Sequence, residues 1–202
     1  EEYNISTSAQ HTKLYENICW TYTMIKYKNQ EIKSSWDNKK EQPLPKNGAC
    51  NLCSINLSEY VINPFTKDAF IDFPELAMDI MHIVEAMDSI IDENANNHAL
   101  KEQKEMALKY RNIGIGVMGL ADMFVKLGMT YGNKDSIELT EQISKFIFRR
   151  AVEASAYLGI LRGNVPEYDN KVWESSIMKN AFTEEEWKSL KENDSLRNCS
   201  LI

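Results

Sequence analysis

Two cysteines three positions apart, Cys50 and Cys53, are the first residues whose types and spacing could do chemistry. A zinc site would need two further ligands, and the sequence has no second Cys-x-x-Cys and no pair of closely spaced histidines. A thioredoxin-like redox pair opens a helix, whereas residues 54–57 alternate polar and apolar side chains as a strand does. Four cysteines, with Cys19 and Cys199, are too few for a disulfide framework. We therefore expect reduced thiols and no metal site.

A second pattern lies in the glycines of residues 114–119, which match GxGxxG letter for letter. A dinucleotide site would need a strand directly before this pattern and an acidic residue about twenty positions later. The preceding residues 101–111 instead have the composition of a charged helix, and Asp135 with Glu138 fits a helix capping box. We interpret residues 114–121 as a tight helix approach against which another element packs closely. An oxidoreductase that binds NAD or FAD through these glycines stays an alternative.

Most of the chain after residue 62 has helical periodicity. Apolar residues recur at spacings of three and four from Leu76 to Ile91, after Pro74 at a suitable first helical position. Gly163 is placed as a helix stop, and Thr183 with Glu186 forms a second capping box. The prediction is a mainly α chain with a few strands, with a strand at about residues 50–60 and a helical block at about 74–192.

The N-terminal residues 1–40 remain an unassigned segment, in which the period-two run at residues 21–27 predicts a strand. The net charge of −7 argues against a nucleic-acid partner held by general electrostatics. No apolar run approaches the length of a membrane span, and the first residues lack the basic start and apolar core of a secretory signal. We expect a cytoplasmic protein with no nucleic-acid or membrane partner.

The most specific text is EQPLP at residues 41–45 followed by CNLCSINL at residues 50–57. It resembles the active-site segment of ribonucleotide reductase large chains, most of all the adenosylcobalamin-dependent class II type, where NPCGEQPL is followed by CNLGSINL. The stretch RNIGIGVMGLAD at residues 111–122 is similar to the family's RRIGLGVMGLAD. SLRN at residues 195–198 resembles the lead-in to the family's phosphate-binding loop. The resemblance covers residues 41–202.

This resemblance implies a fold and a chemistry. The family's fold is a ten-stranded α/β barrel, of which this chain would supply a fragment. In the family, a cysteine thiyl radical removes the ribose 3′ hydrogen, a carboxylate acts as general base, and two thiols become a disulfide. By position, Glu41 matches the general base and Cys50 matches one reducing thiol. The surroundings of Cys19, the only upstream cysteine, do not resemble the partner thiol's site. The implied cofactor is adenosylcobalamin, and the implied substrate of the complete enzyme is a ribonucleotide.

The chain departs from the family at the radical site itself. Counting back from Glu41, Lys39 stands where the radical cysteine belongs, and Asp37 stands where an asparagine holds the ribose. The chain also stops at Ile202, where the phosphate loop would begin. We therefore expect part of a ribonucleotide reductase catalytic chain that is inactive alone and associates with the rest of a split large chain or with itself. The alternative is a non-catalytic helical binding or assembly module derived from that family.

Overall fold

The computed structural model describes residues 48–199. Four sequence predictions, the strand at residues 21–27 and the roles of Asp37, Lys39 and Glu41, lie outside the described residues and stay predictions. Within the described part, helices dominate and strands are few, as the periodicity predicts. The strands there form two separate two-stranded sheets, so this part of the chain does not by itself close a barrel.

The helices and strands of the described part are numbered here in chain order. The strands are β1 (Asn51–Asn56), β2 (Val61–Ile62), β3 (Phe70–Ile71) and β4 (Ile113–Met118). The helices are α1 (Phe73–Asn94), α2 (Lys101–Tyr110), α3 (Leu120–Lys126), α4 (Lys134–Arg162), α5 (Ser176–Ala181) and α6 (Glu184–Asn193). Two 3₁₀ helices complete them, at Leu57–Tyr60 and Asn170–Glu174. Among the helices of residues 48–199, none has the length and apolar content to cross a membrane.

The long helices α1 and α4 build the core. The Asp72 side chain caps α1 by accepting a hydrogen bond from the Glu75 backbone N–H at 3.0 Å. The apolar stripe of α1 is buried as its spacing predicts, at Leu76, Ile80, Val84, Met87 and Ile91. Near the start of α1, Phe73 contacts Phe146 of α4. Further towards the C-terminal end of both helices, Glu85 of α1 pairs with Arg162 of α4. The two helices therefore run parallel.

The strands β1 and β4 pair in parallel, from Asn51 opposite Ile113 to Asn56 opposite Met118. One face of this pair packs against the helices through buried Ile55, Ile113 and Ile115. Because successive side chains of a strand point to opposite faces, the other face carries Leu52, Gly114 and Gly116. Leu52 is 79% exposed there, so this second face is open.

The glycine segment corrects our prediction of a tight helix approach at residues 114–121. Residues 113–118 are a strand, because Ile113, Ile115 and Val117 alternate with glycine and with Met118 at the period of two that a sheet requires. The close packing itself is present: a Cβ on Gly114 would lie 2.6 Å from Leu52 Cδ2 on the neighbouring strand. Gly114 and Gly116 therefore lie within a strand instead of following one, and Gly119 comes directly after it.

The helix ends match the sequence in part. Thr183 and Glu186 form the predicted capping box at the start of α6, and Gly163 follows α4 with φ of 87°. The capping box predicted at Asp135 and Glu138 is wrong. Asn133 caps α4 instead and accepts a hydrogen bond from the Ser136 backbone N–H at 2.8 Å.

Gly119 joins β4 to α3 and offers a test of this packing. Its φ is +70°, and a Cβ would lie 2.1 Å from Asn56 Oδ1 at the end of β1. Gly128 has nearly the same φ of +69° but open space around it. We expect Gly128→Ala to cost about 1–2 kcal/mol through left-handed strain alone. Gly119→Ala should cost about 1–3 kcal/mol more through overpacking, measured by urea unfolding. Equal losses would mean that Asn56 simply moves aside.

Candidate functional site

The Cys50 thiol lies at the N-terminal end of β1 on the open face of the sheet. Cys50 directly precedes β1 and is half-buried, and its Sγ would be 3.6 Å from a Cβ built on Gly114. The thiol donates a long hydrogen bond of 3.5 Å to the Asn51 carbonyl oxygen. Because Gly114 has no side chain, the Leu52 side chain packs over it beside this thiol.

Cys53 has a different environment. It packs against the hydrophobic core, and burial raises the pKa of its thiol. A raised pKa keeps the sulfur protonated and poorly nucleophilic. Three positions apart on an extended chain, the two cysteines face opposite sides of the sheet, so they do not act as a redox pair or a joint metal site. Among residues 48–199, no cluster of three or more His, Cys, Asp or Glu side chains is arranged to hold a metal.

Asn51 anchors the start of β1 at two points. Its backbone N–H donates to the Asn112 carbonyl oxygen at 3.2 Å, just before β4. Its side-chain Nδ2 donates to the Met87 carbonyl oxygen of α1 at 3.3 Å. Cys50 is therefore the neighbour of a residue that is held by two different elements.

Behind this anchor lies a buried charge cluster centred on Asp88, whose side chain is fully buried. Arg111 Nε donates to Asp88 Oδ1 at 2.7 Å, while its two Nη atoms donate to the carboxylate of Asp92 at 2.7 and 2.9 Å. Arg197 Nε and Arg162 Nη1 lie 3.2 and 3.4 Å from Asp88 Oδ2. A buried carboxylate is tolerated only when partners replace its water, and here charged donors from three segments do so.

The same cluster holds the segment at residues 195–198. Asn198 is fully buried, and its Nδ2 donates to Asp88 Oδ1 at 3.2 Å and to the Arg111 carbonyl oxygen at 3.1 Å. Ser155 of α4 donates to Asn198 Oδ1 at 2.9 Å. Gly159 makes room, because a Cβ there would lie 2.3 Å from Ser195 Oγ. The segment that resembles the lead-in to the phosphate loop is thus fixed against α1 and α4.

Sequence reasoning missed Asp88 and Arg111. The signal available was a carboxylate placed next to Met87 on the apolar stripe of α1, a position that a charged residue occupies only when it has a buried partner. The identity of that partner could not be found from spacing, since Arg111 is 23 positions away.

A small cavity lies on the side of the sheet that faces the helices, below the starts of β1 and β4. Its volume is about 190 Å³, and its lining is made of amides, one imidazole and apolar groups: Ala49, Asn51, Ile91, Asn94, Asn97, His98, Ala107 and Asn112. A corrinoid is several times larger than this cavity. The cavity therefore does not fit the adenosylcobalamin implied by the sequence resemblance.

Comparison with known protein families identifies the family of this chain. The family model "Ribonucleotide reductase, barrel domain" matches residues 3–201. The chain belongs to the ribonucleotide reductase large-subunit barrel-domain family. The match begins at residue 3, so it includes most of the N-terminal segment, residues 1–40, that the sequence motifs left unassigned. The division of the chain into an N-terminal segment and a barrel fragment stays a prediction.

Three curated relatives show how much of such a protein this chain represents. A "Vitamin B12-dependent ribonucleoside-diphosphate reductase" of Thermoplasma acidophilum is 36% identical over 139 residues, 69% of this chain and 17% of the relative. The "Ribonucleoside-diphosphate reductase large subunit" of Danio rerio is 33% identical over 162 residues, 76% of this chain and 20% of the relative. The "Ribonucleoside-diphosphate reductase subunit alpha" of Chlamydia muridarum is 32% identical over 129 residues, 64% of this chain and 12% of the relative. The chain thus spans about a fifth or less of each of these relatives.

Arg111 and Asp92 give the cluster a pH dependence. The hydrogen bond from Arg111 lowers the pKa of Asp92 below its ordinary value. A depressed folded-state pKa contributes stability above the unfolded-state pKa, and this contribution disappears as pH falls through the folded-state pKa. We expect Asp92→Asn to lower the free energy of unfolding by about 1 kcal/mol at pH 7, because Asp92 is half-exposed and partly screened.

Below about pH 4, where the unfolded-state carboxyl is protonated, the difference between Asp92→Asn and the parent should shrink. Urea unfolding at both pH values measures it. Asp68→Asn in the exposed loop between β2 and β3 is the matched control and should change little at either pH. A difference that grows on acidification would contradict the assigned role of Asp92.

Proposed function

We propose that this chain forms part of the catalytic barrel of a ribonucleotide reductase large subunit, and that Cys50 is one of the two thiols that reduce the substrate. The observation that carries the proposal is the placement of Cys50 on the open, glycine-lined face of the β1–β4 pair, while Cys53 packs into the core. A thiol that reduces a sugar needs an approach from outside the core, and the half-buried Cys50 is on the face that has one.

In this reaction the thiol pair supplies two electrons and two protons. The ribose 2′-hydroxyl leaves as water, a hydrogen replaces it, and the two sulfurs join as a disulfide. Glu41, by resemblance, takes the proton of the ribose 3′-hydroxyl as general base. The partner of Cys50 in the disulfide is not among the described cysteines, since Cys53 faces the core and Cys199 is buried.

The name of the Thermoplasma acidophilum relative supports adenosylcobalamin as the radical source, whereas the other relatives' names give no cofactor. Adenosylcobalamin supplies an initiating radical when bound. The cavity of about 190 Å³ is too small for it and its lining has no charged side chain. We therefore propose no role in corrinoid binding for the residues lining this cavity.

The open face also bears on partners. Leu52 and Met118 are 79% and 54% exposed on it, and an apolar face of a parallel strand pair is normally covered. The proposal therefore includes association of this face with the remaining strands of the barrel and a ribonucleotide as the substrate of the assembled enzyme.

A chimera tests the role of Cys50 separately from the radical site. Residues 48–199 replace the matched segment of the Thermoplasma acidophilum reductase, and deoxynucleotide formation is measured with adenosylcobalamin and a thiol reductant. Cys50→Ser should lower turnover at least about a hundredfold, as loss of an essential catalytic group does. Cys53→Ser, the matched control, should keep turnover within about twofold of the parent chimera.

Retained turnover in the Cys50→Ser chimera would overturn the proposal. A folded parent chimera that makes no product would favour the alternative of a non-catalytic helical module, whose support is the departure from the family text at Asp37 and Lys39.

The radical thiol has two candidate placements. With Glu41 as the base, Lys39 occupies the position of the radical cysteine, and an ammonium group forms no thiyl radical. The family match from residue 3 takes in both placements, and the second rests on Asn17, Ile18 and Cys19. They repeat the Asn-x-Cys order of NPCGE, with Thr21 in the place of glutamate. In that placement Cys19 is the radical thiol.

A longer chimera with residues 3–199 separates the two placements. If Lys39 blocks the radical, the chimera is inactive and Lys39→Cys gains turnover. If Cys19 is the radical thiol, the chimera turns over, Cys19→Ser abolishes product, and Lys39→Cys changes little. Electron paramagnetic resonance gives a second measure. If Cys19 is the radical thiol, the signal of the sulfur radical disappears in Cys19→Ser and persists in Lys39→Cys.

A further inference from the structure

We infer that Arg111, which forms a buried ion pair with Asp88, is a positioning residue for the Cys50 thiol. The inference rests on the proposed function only for the meaning of Cys50 as a redox thiol, and its geometry stands without it. The path runs from the buried carboxylate of Asp88 through Arg111 and Asn112 to Asn51, the residue that follows the thiol.

At the Asn51 end of this path are the two hydrogen bonds that anchor Asn51. One anchor is the Asn112 carbonyl oxygen, the other is the Met87 carbonyl oxygen, and both are next in sequence to a member of the Arg111–Asp88 pair. The ion pair therefore joins the same two segments that bracket Asn51. A shift of one segment relative to the other moves Asn51, and with it the adjacent thiol.

Arg111 is suited to hold the two segments together because all three nitrogens of its guanidinium donate hydrogen bonds. It donates to Asp88 Oδ1, to the Asp88 carbonyl oxygen and to both carboxylate oxygens of Asp92, and its side chain is 4% exposed. Its backbone has φ of 47° and ψ of 50°, a left-handed conformation that turns the chain from α2 into β4. A non-glycine residue stays in that conformation only when its surroundings hold it there.

Arg162 provides the contrast. It also lies against Asp88, with Nη1 3.4 Å from Oδ2, but it comes from the end of α4 and its main contact is Glu85 at 2.7 Å. Among the described residues, its side chain bonds only Glu85, Asp88 and Ser89, all on α1, and none of these bonds reaches the Arg111–Asn112 segment. A change at Arg162 therefore disturbs the α1 side of Asp88 but leaves the Arg111 link between the two segments in place.

The test compares alkylation rates of individual thiols in the full chain. Iodoacetamide is added to the folded protein, and mass spectrometry of peptides gives the rate at Cys50 relative to Cys53, three positions away on the core side. Arg111→Lys keeps the charge but loses the forked donors, so the start of β1 should loosen and the ratio should rise at least about fivefold. Arg162→Lys, the matched control, should leave the ratio within about twofold of the parent.

A merely structural role would raise the rates at Cys50, Cys53 and the buried Cys199 together and leave the ratio unchanged, which would overturn the inference. An equal rise of the ratio in Arg162→Lys would overturn it as well. If Arg111→Lys fails to fold, Asn51→Ala removes the Met87 anchor alone and should raise the same ratio; an unchanged ratio there contradicts the inference. Failure of the proposed function would appear instead as turnover that survives Cys50→Ser in the chimera, with the alkylation ratio still rising in Arg111→Lys.

Discussion

The rest of this structure depends on the burial of one carboxylate. Asp88 lies on the stripe of α1 that faces α4, among Met87 and Ile91, and its side chain has no access to water. An isolated charge there would be very unfavourable, so the fold brings donors to it from elsewhere in the chain. Arg111 comes from the turn before β4, Arg162 from the end of α4, and Arg197 from beyond α6. Each donor fixes its own segment as it reaches the carboxylate.

The burial of Asp88 has consequences on the opposite face of the sheet. The parallel pairing of β1 and β4 requires a crossover, which α1 and α2 provide, and both the helices and the Asp88 cluster lie on one side of the strands. The other side is left to Leu52, Gly114, Gly116 and the Cys50 thiol. The side that faces the helices carries the charged cluster, and the open side presents the Cys50 thiol.

Local patterns predicted the elements that local forces decide. The stripe from Leu76 to Ile91 predicted α1, the Thr183 and Glu186 pair predicted the start of α6, and the text around Cys50 predicted both β1 and the family. The strand β4 was missed because alternate glycines remove half of its side-chain pattern, and what remains is too short to separate a strand from a packed helix. Asn133, and not Asp135, caps α4 because its side chain accepts a hydrogen bond from the Ser136 N–H.

By itself, the sequence determined the helical character of the chain and its family, and it offered Cys50 as a candidate redox thiol, since periodicity and short motifs lie in neighbouring residues. Only the tertiary structure decided that Cys50 lies on the open face of the sheet and Cys53 on the core face, and that Asp88 meets Arg111 and Asn198 across 23 and 110 positions. The physical reason is that a strand's facing depends on which neighbour it pairs with, and a buried charge can be satisfied by any donor that the fold brings within reach. Neither is a property of spacing along the chain.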